Sequence, residues 1–414
     1  MSVLDRKLLR DMRSSGILLA SIVGITALGV SLYVAMGSAH RNLSETKRRY
    51  YLEGRMADFS VSLKKAPETE IRRLLEIPGV TEIRSRIRFY TTIDLPNLPR
   101  SVNGMVLSLP DRRGHTINDV HIITGGYFTD RRRNEVILND AFAREHDLRP
   151  GDWITVVMND RRERLYVVGT ALSCEFIYLV GPGSFVPDRK YFGVLYVKRS
   201  YAEDVYQYAG AANQVLGRLA PDAKPRVREI LRRAEAMLDD YGVFSTTPLD
   251  EQPSNRYVSQ EIEGLRTFGF VIPGIFLVVV AVVLNVLMRR MVDHQRAVTG
   301  TLKALGYSDT AIFLHFLKYS LLIGLAGGVI GCALGYRLAD LMTIMYREVF
   351  EFPELITRFY PDIHFAALGV ALVFAVVGGI RGSRAALRLQ PAEAMRPKPP
   401  AKGGRVWLEH LPWF

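Results

Sequence analysis

Residues 267–288 read TFGFVIPGIFLVVVAVVLNVLM, twenty-two positions without Asp, Glu, Lys or Arg. At 1.5 Å per residue, a helix of that length covers about 33 Å, enough for the roughly 30 Å hydrocarbon core of a bilayer. Three further charge-free windows occur: Ser14–Ala39 (26 residues), Tyr319–Tyr336 (18) and Phe365–Ile380 (16). The shortest lengthens through Ile363 and His364, and Arg381 can snorkel outward at its end. The pattern predicts an α-helical membrane protein with four transmembrane helices and one large polar insertion. Across all 414 residues, 48% are apolar, 23% are charged and mean hydropathy is +0.07. Apolar residues gathered into blocks in this way exclude a disordered chain, a secreted disulfide scaffold and an ordinary cytosolic enzyme.

The charge distribution favours four spans over a buried core helix at the fourth window. With the N-terminus inside, the inner segments 1–13, 289–318 and 381–414 hold 16 Lys and Arg against 6 Asp and Glu. The insertion Ser38–Gly264 holds 34 basic and 31 acidic residues. Nearly all of the formal charge of +12 thus falls on one side, as the positive-inside bias requires. Both termini are therefore expected in the cytoplasm. The basic stretches are short and juxtamembrane, which points to anionic membrane lipids as partner and not to nucleic acid. The first window is longer than the core of a cleaved signal peptide. Before it, Leu4, Leu8 and Met12 recur every fourth residue among basic side chains, the mark of an amphipathic helix along the inner membrane face. The expected layout is this juxtamembrane helix at 1–13, spans at 14–37, 267–288, 319–336 and 364–380, an extracytoplasmic domain at 38–266 and an outer loop at 337–363. A cytoplasmic loop at 289–318 and a basic tail at 381–414 complete it.

Within the insertion, Asp58–Leu63 alternates like a half-buried strand, Pro67–Ile77 reads as a helix and Val80–Ile93 alternates again, less regularly. A second strand–helix–strand unit follows at Asn213–Leu219, Lys224–Leu238 and Gly242–Thr246. Two such halves predict a ferredoxin-like α/β sandwich interrupted by a small β-rich subdomain at about 101–190. That subdomain shows a strand at Glu135–Leu138, a helical turn at Asp140–His146 and a hairpin, Trp153–Met158 with Arg164–Ala171, around Asn159-Asp160. Gly193–Val197 reads as a further strand. Arg131–Arg133 and Arg161-Arg162 are read as solvated turn charges.

Nothing promotes catalysis or metal binding. Cys174 and Cys332 lie far apart, no histidine spacing suits a metal, and no nucleophile elbow or Ser–His–Asp grouping is legible. The insertion reads as a binding or force-transmitting domain. The charge-free windows also argue against an ion or proton pathway.

Two membrane features stand out. The third window carries Gly324, Gly327, Gly328, Gly331 and Gly335, three pairs of them four residues apart, so a neighbouring helix can approach closely. In the second window, Pro273 beside Gly274 is expected to kink the helix.

The inner loop contains Gly300-Thr301-Leu302-Lys303-Ala304-Leu305-Gly306, followed by Tyr307-Ser308. This run resembles the cytoplasmic segment of the FtsX-like, MacB-like (type VII) ABC transporter permeases, where it forms a coupling helix that docks on the ATPase. Gln390–Arg396 is similar to that family's exit from the last span, and one span, a large outer domain and three spans is the family layout. Val298 and Thr299 depart from it, standing where the family often has an acid and an isoleucine, which leaves no acid there for a salt bridge to the ATPase.

The resemblance implies the membrane subunit of an ABC transporter in a bacterial inner membrane. No Gly-x-x-x-x-Gly-Lys-Ser/Thr loop occurs, so the chain itself is expected to bind no cofactor and to be no enzyme; ATP and Mg belong to a partner ATPase. Arg296, Gly300, Leu302, Lys303, Ala304, Leu305 and Gly306 are then the candidate coupling residues. Motion of the outer domain would serve export or extraction of an amphiphilic lipid, lipoprotein, peptide or drug. An alternative is an ATP-driven scaffold that activates a cell-wall hydrolase and transports nothing. A membrane-tethered enzyme is a third, weaker reading. Further implied partners are a second permease half or a second copy, and a periplasmic adaptor. Three arrangements stay open: the first half of a longer permease, a split subunit, or a four-span permease that dimerises.

Overall fold

The computed structural model describes residues 3–14, 16–95, 99–181, 183–184 and 186–387. The tail motif Gln390–Arg396 and the segment Trp407–Phe414 lie outside the described residues. The chain opens with helices α1 (Val3–Ser14) and α2 (Gly16–Glu53), then strand β1 (Phe59–Pro67), helix α3 (Glu68–Arg72) and strand β2 (Val80–Arg86). Next come β3 (Arg88–Asp94), β4 (Val102–Leu109), β5 (Val120–Gly125), β6 (Glu135–Asn139) and α4 (Asp140–Glu145). They are followed by β7 (Trp153–Met158), β8 (Arg161–Ser173), β9 (Phe192–Lys198), α5 (Arg199–Tyr206) and β10 (Ala211–Leu219). The remaining elements are α6 (Val227–Leu238), β11 (Val243–Pro248), α7 (Pro253–His294), α8 (Arg296–Ala304), α9 (Asp309–Val349) and α10 (Pro361–Leu387). They form two compact units, one of residues 1–38, 267–339 and 359–414, the other of 39–266 and 340–358.

In the first unit, segments of α2, α7, α9 and α10 belong to four helices long and apolar enough to cross a membrane. α7 continues as helix through Pro273. Its Leu277, Val280, Leu284 and Met288 are buried, while Phe270, Val271, Ile275, Val278, Val282 and Val286 are exposed. Exposed apolar side chains are ordinary where the solvent is lipid, because a helix satisfies its own backbone. The apolar edge of α1 is not left free: Leu8 is buried in a cluster with Leu19, Leu284, Leu287 and Met288.

The second unit contains two sheets. The first has strand order β11-β1-β10-β2, every neighbour antiparallel, with two strand–helix–strand halves around it, the ferredoxin-like arrangement. Val61 and Leu63 of β1 meet Ile71 of α3 and Ile230, Leu231, Ala234 and Leu238 of α6. Those four α6 residues recur at helical spacing, so one stripe of α6 faces the sheet.

The second sheet has the order β5-β8-β6-β9-β4-β3-β7, and β7 also pairs with β8, closing six of its strands on one another. Val106, Val136, Leu138, Val156, Leu165, Val167, Leu195 and Val197 are fully buried inside it. Closure leaves those six strands without free edges, and only β5 lies outside the ring. Asn159 and Asp160 have φ of +48° and +59°, the left-handed pair that a two-residue hairpin turn requires.

Two expectations need correction. Val80–Ile93 is not one strand: it divides at Ile87, β2 joining the four-stranded sheet and β3 the closed one. The closed sheet also begins earlier than residue 101, since β3 belongs to it, and it includes β4 and β5, which the sequence reading did not mark. Residues 340–358, inside the expected outer loop 337–363, pack within the second unit. There Glu351 is 4% exposed, accepts from Arg144 Nη2 at 3.0 Å and lies 2.6 Å from Arg189 Nη2. Its backbone N–H donates to Ile177 O at 2.7 Å. A buried carboxylate is tolerated because two guanidiniums meet it.

Candidate functional site

The candidate coupling residues lie on α8 and the turn after it. Nine residues make a weak helix in isolation, so its neighbours and its end must hold it. Leu305 caps the helix and Gly306 follows with φ of +90°, a conformation costly for any residue with a Cβ. Gly306 N–H donates to Lys303 O and Tyr307 N–H to Leu302 O, both at 3.1 Å. That pair of bonds is the Schellman closure, which satisfies two carbonyls the helix would otherwise leave open. Lys303 in the last turn is 10% exposed at its side chain and its Nζ lies 2.8 Å from Asp309 Oδ1 at the start of α9. The turn between α8 and α9 is therefore braced from both sides.

The seven residues divide by environment. Gly300 is buried beside Thr299, and Leu302 is half-buried against Val292, Ile312 and Phe316. Arg296 is half-buried, with an Nε that has no hydrogen-bond partner among the described residues. Ala304 and Gly306 are exposed, and Leu305 is 72% exposed. Leu302 and Leu305, both candidate coupling residues, do not share one outward face. Leu302 instead turns inward and anchors α8, leaving Val298, Leu305 and Tyr307 as the exposed apolar side chains. The separation follows from the helix ending at Ala304, because Leu305 has left helical geometry. Lys7 of α1 donates to Gln295 just before α8, a contact across 288 positions that no local pattern signals.

The five glycines of α9 serve two neighbours. A Cβ placed on Gly327, Gly331 or Gly335 would lie 2.6–2.7 Å from the Cβ of Thr26, Val30 or Val34 on α2. One on Gly324 would lie 2.6 Å from Ala375 Cβ, and one on Gly328 2.6 Å from Leu368 Cδ1, both on α10. The spacing of four puts each set on its own stripe of the helix. A second small-residue stripe, on α10, was overlooked in the sequence. A Cβ on Gly378 would meet Ala281 O at 2.5 Å, and one on Gly382 would meet Met288 Cβ at 2.3 Å, both on α7. Its signal was the spacing Gly378/Gly382, which runs two residues past the end of the fourth window.

Residues 270–391 match the FtsX-like permease C-terminal family and carry that domain. The chain is 26% identical over 144 residues to the uncharacterized ABC transporter permease YvrN of Bacillus subtilis (strain 168), covering 34% of this chain and 33% of that protein. It is 25% identical over 269 residues to the probable export ATP-binding/permease protein MacB of Pseudomonas entomophila (strain L48), covering 60% of this chain and 38% of that one. The chain thus spans between a third and two-fifths of the length of these relatives. Among solved structures it is similar to the periplasmic region of MacB from Actinobacillus actinomycetemcomitans, at TM-score 0.30 and 10% identity over 50% of this chain and 92% of that one. It is also similar to the extracellular domain of the noncanonic ABC-type transporter YknZ from Gram-positive bacteria, at TM-score 0.29 and 12% identity over 46% and 98%.

Proposed function

We propose, for a chain whose residues 270–391 carry an FtsX-like permease domain, that it is the membrane subunit of an ABC transporter of the MacB type. A separate ATPase binds ATP and Mg, and α8 is the element it grips. A second permease half or a second copy completes the membrane part. The outer domain moves as a lever, and the cargo is an amphiphile taken from the outer side of a bacterial inner membrane. Coupling requires two conformations that the ATPase contacts differently.

The observation that carries this reading is the exposed Leu305 on a turn that is otherwise locked. A docking point must be both accessible and rigid, or partner motion would be lost in local flexing. Leu305 is accessible, while the Schellman closure, the Lys303–Asp309 pair and the Leu302 anchor hold the turn beneath it.

The test compares two leucines three residues apart. Leu305→Asp is expected to weaken capture of the ATPase in mild detergent by about tenfold or more, the size of a central apolar contact in an interface. Its melting temperature should match the parent. Leu302→Asp should lower the melting temperature, because it puts a charge among Val292, Ile312 and Phe316. Parent-like capture of the ATPase by Leu305→Asp would remove α8 from the coupling path.

A further inference from the structure

The second unit contains a cavity of about 440 Å³ against the sheet face that α3 and α6 leave uncovered. That volume lies within the range of small-molecule sites. One polar rung crosses its floor: Ser245 of β11 faces Ser62 of β1, Ser62 faces Gln214 of β10, and Gln214 faces Arg86 of β2. Gln214 is 2% exposed, and Arg86 Nε donates to its Oε1 at 2.8 Å. The amide orientation is thereby set; Gln214 lines the cavity, and its Nε2, with two hydrogens, meets no protein acceptor among the described residues. Amide donors are ordinarily matched by acceptors, and this one is left for an acceptor brought by a guest.

The unpaired charge among the described lining residues is positive. The one carboxylate among them is Glu175, and Arg86 occupies both its oxygens at 2.7 and 2.8 Å. Arg88 and Arg256 also line the cavity. Arg88 donates to the neutral Tyr90 hydroxyl, and Arg256 is exposed with no ion pair among the described residues. Two positive charges are therefore left for a guest. Beside them Tyr178 and Tyr257 stand with ring centroids 4.6 Å apart, an apolar wall for a flat body.

We propose that this cavity binds a small organic oxyanion, a carboxylate or phosphate carried on a ring. The oxygens are taken by Gln214 Nε2, Arg88 and Arg256, and the ring rests on Tyr178 and Tyr257. The assignment goes beyond the coupling role and stands without an ATPase.

The experiment uses the full chain in phosphatidylcholine nanodiscs, which present no anionic lipid, and ligand-observed NMR with phenyl phosphate, benzoate and neutral benzyl alcohol. At least one anion is expected to bind about tenfold or more tighter than the alcohol, the worth of one charge-assisted hydrogen bond. The tighter anion identifies which oxyanion the site takes. Arg256→Gln, a surface change, should weaken it about tenfold with an unchanged melting temperature. Ser62→Leu, which fills the floor, should abolish binding. Equal binding of the alcohol and both anions, or undiminished anion binding in Arg256→Gln, overturns the proposal.

Discussion

Gly331→Leu is expected to remove most of the assembled protein from a mild-detergent preparation, whereas Gly369→Leu should leave the yield and melting temperature unchanged. At Gly331 the first added carbon already meets Val30 Cβ at 2.6 Å and the backbone oxygen of Ala27 at 2.7 Å. No rotamer relieves a clash that begins at Cβ, so α2 and α9 must separate. Overpacking costs typically about 1–3 kcal/mol even where side chains can yield; with backbone on the other side, the upper end or beyond is expected. Separation also breaks the neighbouring contacts at Gly327 and Gly335, which lie on the same stripe. A Cβ on Gly369 meets nothing within 4 Å. Size-exclusion chromatography of both variants checks this, and a parent-like Gly331→Leu profile would contradict close approach as the basis of span packing.

Glu175→Leu should destabilise the second unit by about 3–5 kcal/mol, the usual cost of leaving one member of a buried ion pair behind. Arg86 is 3% exposed and Glu175 12% at their side chains, and two parallel hydrogen bonds join them. Arg86 sits at the end of β2 in the four-stranded sheet, while Glu175 follows β8 in the closed one, so the pair ties the two sheets. Burial by itself would raise the Glu175 pKa, but the Arg86 guanidinium outweighs it and holds the carboxyl below its ordinary value. A carboxyl lowered on folding contributes stability above its unfolded pKa and loses it as pH falls through the folded one. Acid unfolding should therefore be less steep in Glu175→Leu than in the parent. The double variant Arg86→Met/Glu175→Leu should recover part of the loss, because an apolar pair leaves no orphaned charge. Thermal melts of Arg86→Met, Glu175→Leu and the double variant, followed by circular dichroism, give all three values; a double variant as unstable as the sum of the singles would show that the pair acts through something other than its charge.

Much of the fold was legible without coordinates. Charge-free windows report helices in lipid directly, since hydrocarbon penalises every charge left in it. The two strand–helix–strand halves were legible because each hides one face and shows the other. The strands β4 and β5 were not: Val102–Leu109 is buried at seven of its eight positions, and a strand covered on both faces loses its alternation, while β5 has one buried position in six and hides no face. The division at Ile87 was invisible for a related reason. Period-two alternation says that residues pair, not with which sheet.

The site divides in the same way. The Gly300–Gly306 run marked a short helix ending at a glycine, and Gly306 does take the positive φ that only glycine adopts cheaply. Which leucine faces outward was decided by the packing of Val292, Ile312 and Phe316 around Leu302, residues brought together from α7 and α9. Local sequence alone determined where the chain is helical, where it is apolar enough for a bilayer and where it must turn, because those depend on neighbours a few residues away. Tertiary structure alone decided that the α9 glycines face two different helices, that Glu351 meets Arg144 and Arg189, and that one polar rung crosses four strands. Each of those joins residues tens to hundreds of positions apart, and only the folded chain brings them within a few ångströms.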